Sequence, residues 1–447
     1  MNLSEHPTVK RFYQITPGRT GQPTTLSKLD ADWLRQLCLE AGADDAGFVD
    51  IDRTELADQR DAILAFFPRT RALISIVCKM NREPIRSTGR SVANLEFHHV
   101  GDSVNAAARR IVAALDERGI RAVNPSMGFP MEMDRFPGKT WVVSHKPVAV
   151  AAGLGHMGIH RNVIHPKFGN YILLGTVLVD ADITAYTTPI DYNPCLECKL
   201  CVAACPVGAI GSDGHFNFSA CYTHNYREFM GGFNDWVETI AESGGRLNYR
   251  HQVAAAETAS MWQSLSFGAN YKSAYCMAVC PAGEDVIAPF LTDRKTYLED
   301  VVRPLQQKQE TVYVTPGSDA EDYVARRFPH KTAKRVANGL RPASVRALLN
   351  SLSLAFQPNK SAGLDATYHF TFTGAEQIQA TVIIRDQKLT VTEGHTGEPN
   401  IHVTADSRTW LGFLAKERSL VWSLLTRKVR LKGSLRWLLA FGRCFPS

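Results

Sequence analysis

The stretch Cys195-Leu-Glu-Cys198-Lys-Leu-Cys201-Val-Ala-Ala-Cys205-Pro206 decides the reading of this 447-residue chain. Its spacing, C-x2-C-x2-C-x3-C-P, places three thiolates around one iron–sulfur cube and sends the fourth to a second cube. Seven of the ten cysteines fall between residues 195 and 280, whereas unligated structural cysteines scatter along a chain. Four tetrahedral thiolates would also satisfy zinc, but this rhythm is not zinc-finger spacing.

Further along, Cys276-Met-Ala-Val-Cys280-Pro281 repeats the terminal C-x3-C-P element, and Cys221 lies between the two. With Cys280 in the exchanged role, one cluster takes Cys195, Cys198, Cys201 and Cys280, and the other takes Cys205, Cys221 and Cys276. The second set is one thiolate short, and the missing position falls on Ser273. Three outcomes stay open: a non-cysteine ligand (Ser273, Tyr275 or His224), a three-iron cluster, or an iron with an open site. The plainer alternative is a degenerate electron relay. Cys78 and Cys444 are too remote in sequence to assign. So is Cys38, which sits on an apolar helical face and reads as core.

The chain has ample length for about two to four domains. A hydrophobic content of 45% and a charged content of 21% are those of a globular protein. The net charge of +6 is a mild excess that suits a solvated surface, an acidic electron donor or an anionic cofactor; no nucleic-acid partner is expected from it. Iron–sulfur ligation needs reduced thiols. The first residues, Met1-Asn-Leu-Ser-Glu-His-Pro, have no apolar h-region, and no apolar run approaches the roughly 18–20 residues of a membrane span. A soluble cytoplasmic protein is the expectation.

Ahead of the cysteines, residues 1–26 read as an irregular arm. Ser27 or Asp30 then caps a helix carrying Trp33, Leu34, Leu37 and Cys38. Ala72–Cys78 reads as a buried strand, Ser103–Arg118 as a helix with Ala107, Ala108, Ile111 and Leu115 inward, and Ile120–Val123 as the start of another strand. Lys146-Pro-Val-Ala-Val-Ala-Ala-Gly153-Leu154-Gly155-His156-Met-Gly158-Ile-His160-Arg161-Asn162 follows. Its glycines match G-x-G-x-x-G without a preceding strand, so a dinucleotide fingerprint is not indicated. They offer instead a backbone able to approach a large flat ligand, flanked by two imidazoles and a guanidinium. Ile172–Asp180 is a strand feeding the cysteine run.

The order Gly153-Leu-Gly155-His-Met-Gly158, Pro166-Lys-Phe-Gly169, Leu174-Gly175, the cysteine run, Cys221 and the second C-x3-C-P resembles the cobalamin-dependent reductive dehalogenases and epoxyqueuosine reductases. The resemblance covers about residues 28 to 290. It implies a nitroreductase-like domain holding a base-off corrinoid against two ferredoxin-type clusters. Three departures stand out. Lys139 occupies the place of the proton-donating aspartate of the tRNA-modifying members, with Glu132 and Asp134 nearby. Tyr171 and Leu173 stand where dehalogenases carry arginines, and His156 where a tryptophan or glutamate is usual. Neither family's substrate transfers.

The insertion between Cys221 and Cys276 reads as helices covering the clusters, and residues 300–345 as a polar linker with one or two short helices. From Asp365 the period becomes two: Tyr368, Phe370 and Phe372 alternate with polar residues, and Ala380–Arg385 and Lys388–Thr392 pair around Asp386-Gln387. The Phe-Thr-Gly374 strand end, Asn400-Ile-His-Val-Thr and Val429-Arg-Leu-Lys-Gly433 resemble the sterol carrier protein 2 domain, which encloses an apolar tunnel for lipids. The bland reading is a module that packs on the catalytic domain or mediates a homodimer.

The expected fold is therefore α+β: a reductive dehalogenase-like (nitroreductase-like) α/β domain over residues 1–180, a two-cluster 4Fe-4S ferredoxin-like domain over 181–299, the linker, and a sterol-carrier-like α/β domain over 346–447. The expected function is an iron–sulfur reductase fed by an external ferredoxin or flavodoxin. Its electrons reach a cofactor, cobalamin or else a flavin, in a pocket lined by Gly153, Leu154, Gly155, His156, Gly158, His160 and Arg161. His156, His160, Lys146 and Tyr171 are the candidates for proton delivery or for orienting the leaving group. A small apolar substrate is expected from the carrier-like domain. The alternative is an electron-transfer or lipid-binding adaptor without chemistry of its own.

Overall fold

The computed structural model describes residues 3–15, 28–125, 141–415 and 417–446. The chain is mixed α+β. Its first sheet is built from β1 (Asp45–Asp50), β2 (Ala72–Lys79), β3 (Ala122–Val123) and, after the two-residue pair β4 (His156–Met157) and β5 (Val163–Ile164), β6 (Ile172–Val179). The order is β1-β2-β6-β3, antiparallel throughout. The run Ala72–Cys78 is wholly apolar apart from Ser75 because both faces are covered. Ile74, Ile76 and Cys78 pack with Leu34, Cys38, Val104 and Ile111, while Leu73 and Val77 pack with Ile63 and Val148. Asp30 caps the helix Ala31–Glu40 by accepting the Trp33 N–H at 2.8 Å; Ser27 lies outside the described residues.

Three segments differ from the sequence expectation. Pro7–Ile15 is helical, its proline at the first helical position where the missing N–H is harmless. The helix expected over 103–118 begins at Arg90 and runs to Glu117. Its early turns bury Arg90, Asn94 and Glu96, so they lack the apolar period that marks a helix in sequence. These polar groups are used: Glu96 accepts the Asn81 N–H at 2.6 Å, and Asn94 reaches the Tyr271 carbonyl at 3.1 Å.

The supposed linker is the third. β7 (Thr311–Val314) and β8 (Thr332–Arg335) pair in parallel across the helix Asp319–Arg327. Val312, Val314, Ala320 and Val324 are buried in the same core as Cys201 and Cys205. Much of the polarity that suggested a linker is helix chemistry, with Asp319, Glu321 and Asp322 in the first turn and Arg326 and Arg327 in the last.

The last unit is a five-stranded sheet: β9 (Ala366–Thr373), β10 (Ile378–Arg385), β11 (Lys388–Glu393), β12 (Ile401–Asp406) and β13 (Val429–Gly433), ordered β11-β10-β9-β12-β13, with β12 parallel to β9. The β10–β11 hairpin turns at Asp386 and Gln387, both at positive φ (50° and 56°) as a two-residue turn requires. One face is covered by helices. The Phe370 ring lies 5.9 Å from Trp410 and 5.5 Å from Phe441, and Tyr368 and Phe372 fill the same interior. Truncating Phe370 to alanine removes the centre of that aromatic group and is expected to destabilise this unit by about 3–5 kcal/mol. Denaturant unfolding monitored by tryptophan emission measures it, with iron content as the control that the remainder is intact.

Candidate functional site

The two C-x3-C-P elements share one local device. Lys199 (φ 61°) precedes the short helix Leu200–Ala204, which carries Cys201 and stops at Cys205-Pro206; Ala274 (φ 51°) precedes Tyr275–Ala278, which carries Cys276 and leads to Cys280-Pro281. Non-glycine residues rarely adopt this left-handed backbone, so the surroundings must hold it. At the second element Asn225 does so, its Oδ1 accepting the N–H groups of Ser273 (2.9 Å) and Ala274 (3.1 Å). Ser273 stands immediately before the left-handed residue, the place Cys198 has in the first element.

Cys195, Cys198, Cys201 and Cys280 line one small cavity with Ile159, His160 and Pro281. Cys205, Cys221 and Cys276 form a second group. Burial and then mutual charge raise the Cys221 pKa, and the same causes push Cys276 up to about 11. Cys280 is driven up to about 12, chiefly by burial. The groups adjoin, since Cys201 is felt by both Cys276 and Cys280. Among the described residues no three His, Cys, Asp or Glu side chains are placed to hold a single ion. The structure thus brings the seven cysteines into a four and an adjoining three.

The three residues suggested as a fourth ligand of the second group are engaged elsewhere. The Ser273 hydroxyl donates to Asn225 Oδ1 (3.1 Å), the Tyr275 hydroxyl to Glu310 (2.6 Å), and His224 Nδ1 accepts the Tyr313 N–H (3.3 Å). Two other polar side chains stand beside this group. Asn162 Nδ2 is 3.9 Å from Cys276 Sγ, and Lys146 Nζ, hydrogen-bonded to Asn162 Oδ1 (2.8 Å) and the Arg161 carbonyl (2.7 Å), is close enough for its charge to lower the Cys221 and Cys276 pKa values. The Lys146 side chain is exposed although protein packs closely around its ammonium. That desolvation lowers its pKa against the opposing pull of the two thiolates.

Other candidates fall differently. His160 is buried against the first four cysteines, and burial holds its pKa down to about 4, so it is neutral. Its Nδ1 accepts the Asn162 N–H (3.1 Å), which leaves the proton on Nε2, facing the Asn170 amide at 3.3 Å. Turning that amide over would supply the acceptor and also satisfy the otherwise unpartnered Asn170 Oδ1. His156 bonds its neighbour's carbonyl, that of Met157, at 3.1 Å. Tyr171 acts as a strut: its hydroxyl donates to the Ala278 carbonyl (2.7 Å) and accepts from Arg86 (3.1 Å), tying the residue before β6 to the Cys276 helix. Lys139, Glu132 and Asp134 lie outside the described residues.

The glycines of the Gly153–Gly158 segment are packed closely by protein. A Cβ on Gly153 would meet the Thr188 carbonyl oxygen at 2.2 Å, and one on Gly155 the Ile164 carbonyl oxygen at 2.4 Å. Both glycines serve close backbone packing, Leu154 is core, and Gly158 is crowded by His160 and Ile164. The Arg161 side chain is exposed and its carbonyl is taken by Lys146. The large cavity, about 1400 Å³, is elsewhere. It lies between the first turns of the Arg90–Glu117 helix, the insertion helices Arg246–Gln252 and Ala255–Phe267, and β7–β8.

Its walls carry more cations than acids, most of them paired: Lys308 with Glu310, Lys334 with Glu257, Arg335 with Glu321 and Lys272 with the buried Glu228, which leaves Arg90 and Arg250 without a carboxylate partner among the described residues. Arg90 stacks on the Tyr275 ring at 5.4 Å and donates through Nη1 to the Ser87 carbonyl (3.2 Å), but its Nε and Nη2 are buried without partners among the described residues. His224 Nε2 is likewise unpartnered. Burial keeps this imidazole neutral, with a pKa of about 4, and because Nδ1 is an acceptor, Nε2 carries the proton. Both residues line the cavity, with these three nitrogens themselves buried. Nothing in the sequence announced it, because its walls come from segments up to about 245 residues apart, two of which read as insertion and linker.

Residues 188–211 match the family of 4Fe-4S binding domains. Curated epoxyqueuosine reductases are similar to parts of the chain. The one from Cellulophaga algicola is 32% identical over 103 residues, which are 21% of this chain and 33% of that protein. The one from Staphylococcus aureus is 37% identical over 82 residues, 18% of this chain and 21% of that protein. The chain thus spans a third or less of the length of these relatives. Among solved structures, a catabolic reductive dehalogenase aligns with a TM-score of 0.39 at 16% identity, covering 64% of this chain and 36% of its own. An epoxyqueuosine reductase with a modified tRNA-Tyr stem loop aligns with a TM-score of 0.34 at 17% identity, covering 61% and 75%.

The thiol partition predicts unequal responses. Cys280→Ser should remove the iron of the first group while leaving a signal from the second. Ser273→Cys, at the place matching Cys198, should add about one iron per chain and abolish any three-iron spin signal of the oxidised protein. Iron and sulfide counts with spin resonance read both.

Proposed function

We propose that this chain is an iron–sulfur oxidoreductase of the reductive dehalogenase-like type. Cys195, Cys198, Cys201 and Cys280 would hold one cluster, and Cys205, Cys221 and Cys276 a second. The observation that carries the reading is the gathering of seven cysteines, up to 85 residues apart, into a four and an adjoining three. When bound, such clusters supply one-electron transfer at a potential set by charge, hydrogen bonds to sulfur and exposure.

The chain's own groups prepare this site. The Ala209 N–H donates to Cys205 Sγ at 3.3 Å and favours the thiolate. Lys146 holds positive charge at Nζ beside Cys221 and Cys276. Apolar packing by Val207, Ile210 and Val279 keeps water from the sulfurs. The cavity beyond Tyr275 exceeds the roughly 300–1,000 Å³ of drug-sized pockets, which supports a large ligand. Cobalamin, implied by the resemblance, would supply a strongly reducing metal centre there. We place the cofactor and substrate against Arg90 and His224 and not against the glycine segment.

The cationic walls favour an anionic or phosphate-bearing substrate over the apolar one expected from the carrier-like domain, whose interior is filled with aromatic rings. A nucleic acid such as the tRNA stem loop held by the solved epoxyqueuosine reductase would meet the same cations, against the expectation of no such partner. An external ferredoxin or flavodoxin remains the electron donor we assign.

Anaerobic reconstitution tests the reading. Iron should reach about seven or eight per chain, and added cob(II)alamin should give a bound spin-resonance signal. Arg90→Gln should leave the iron unchanged and weaken cob(II)alamin binding about tenfold or more, the usual scale for a lost charged hydrogen bond. Iron below about four per chain with no corrinoid signal would reject the proposal in favour of the adaptor.

A further inference from the structure

The positive charge of the chain is not spread evenly. The sequence holds 50 basic and 44 acidic residues; seven of the basic ones and none of the acidic ones fall in residues 418–447, so the other 417 residues are net negative by one. The seven are Arg418, Arg427, Lys428, Arg430, Lys432, Arg436 and Arg443, and every one is exposed.

The same stretch exposes large apolar side chains. On the helix Leu420–Leu425, Val421, Trp422 and Leu425 are 67%, 67% and 71% exposed, while Leu420 and Leu424 turn to the core. On the final helix Leu435–Arg443, Leu435 and Leu439 are 47% and 62% exposed, one turn apart, while Leu438 and Phe441 are buried. The two helices flank β13, the edge strand of its sheet. Exposed apolar residues scattered singly need no explanation, but these five stand within nineteen residues and alternate in the chain with the exposed Arg427, Lys428 and Arg436.

We propose that this C-terminal face docks on an anionic lipid surface. Val421, Trp422, Leu425, Leu435 and Leu439 enter the headgroup boundary while the arginines and lysines meet lipid phosphates and carboxylates. Tryptophan with aliphatic residues on one side and cations around them is the pattern of an interfacial helix. A second copy of the chain is disfavoured on this face because it would set seven positive charges against seven. Nucleic acid is disfavoured because exposed valine and leucine have no use in phosphate or base recognition, which relies on cations and stacking rings. The docking is peripheral: among the described residues no helix is long and apolar enough to cross a membrane.

The test uses the full iron-loaded chain and sedimented vesicles, either of phosphatidylcholine alone or with about one third phosphatidylserine. Binding should appear with the anionic vesicles at about 0.1 M salt, fall about tenfold or more at 0.5 M as charges are screened, and be negligible on phosphatidylcholine. Arg427→Gln/Lys428→Gln/Arg436→Gln and, separately, Val421→Ser/Leu425→Ser/Leu439→Ser should each reduce it about tenfold or more with iron content unchanged. All these side chains are exposed, and should a variant fold poorly, the lipid and salt dependence of the unaltered chain still decides. Equal binding to both vesicles, no binding to either, or a concentration-dependent dimer abolished by the apolar variant would overturn the proposal.

Discussion

The structure depends on gathering seven thiols, three buried and four half-buried, into two adjoining groups. Burial penalises their charged form and is the main reason that Cys276 and Cys280 are pushed up, with the charge of neighbouring thiolates adding to it. An electrophilic metal that took the sulfurs as anions would offset that penalty, and its ligation would then be coupled to folding. Around it the chain spends its most unusual backbone: the left-handed Lys199 and Ala274 start the two short helices that aim Cys201 and Cys276. Tyr171 and Asn225 fix the second of these helices from two sides.

The second group differs from the first in one respect that governs its chemistry. Where the first has Cys198, the second has Ser273, whose hydroxyl is turned to Asn225. The polar neighbours of the group are an amide and an ammonium, Asn162 and Lys146, joined to each other at 2.8 Å. Neither replaces a thiolate. They make the surroundings less negative than a fourth cysteine would, and a less negative site accepts an electron more readily.

The 4Fe-4S binding stretch was legible in sequence because cluster ligands keep a fixed spacing, and β2, β6 and the β10–β11 hairpin were legible because burial on two faces or alternation on one leaves a direct trace. The first half of the Arg90–Glu117 helix was not, since Arg90, Asn94 and Glu96 are polar residues turned inward for tertiary partners. The unit around β7 was hidden because its charges decorate a short helix that buries only Ala320 and Val324. Gly153 and Gly155 misled, because glycines that let a ligand approach and glycines that let a carbonyl approach look alike in sequence. The cavity left no trace in any one segment.

The helix from Arg90 to Glu117 has 28 residues, which at about 1.5 Å each make a rod of about 42 Å. Its early turns bear Arg90, Asn94 and His98 on the cavity wall, and Val104, Ala107 and Ile111 further along are wedged into the first sheet. Buried along both halves, from Arg90, Asn94 and Glu96 to Ile111 and Leu115, the rod gives the cavity wall and the first sheet one common member, so a break in its middle would loosen both.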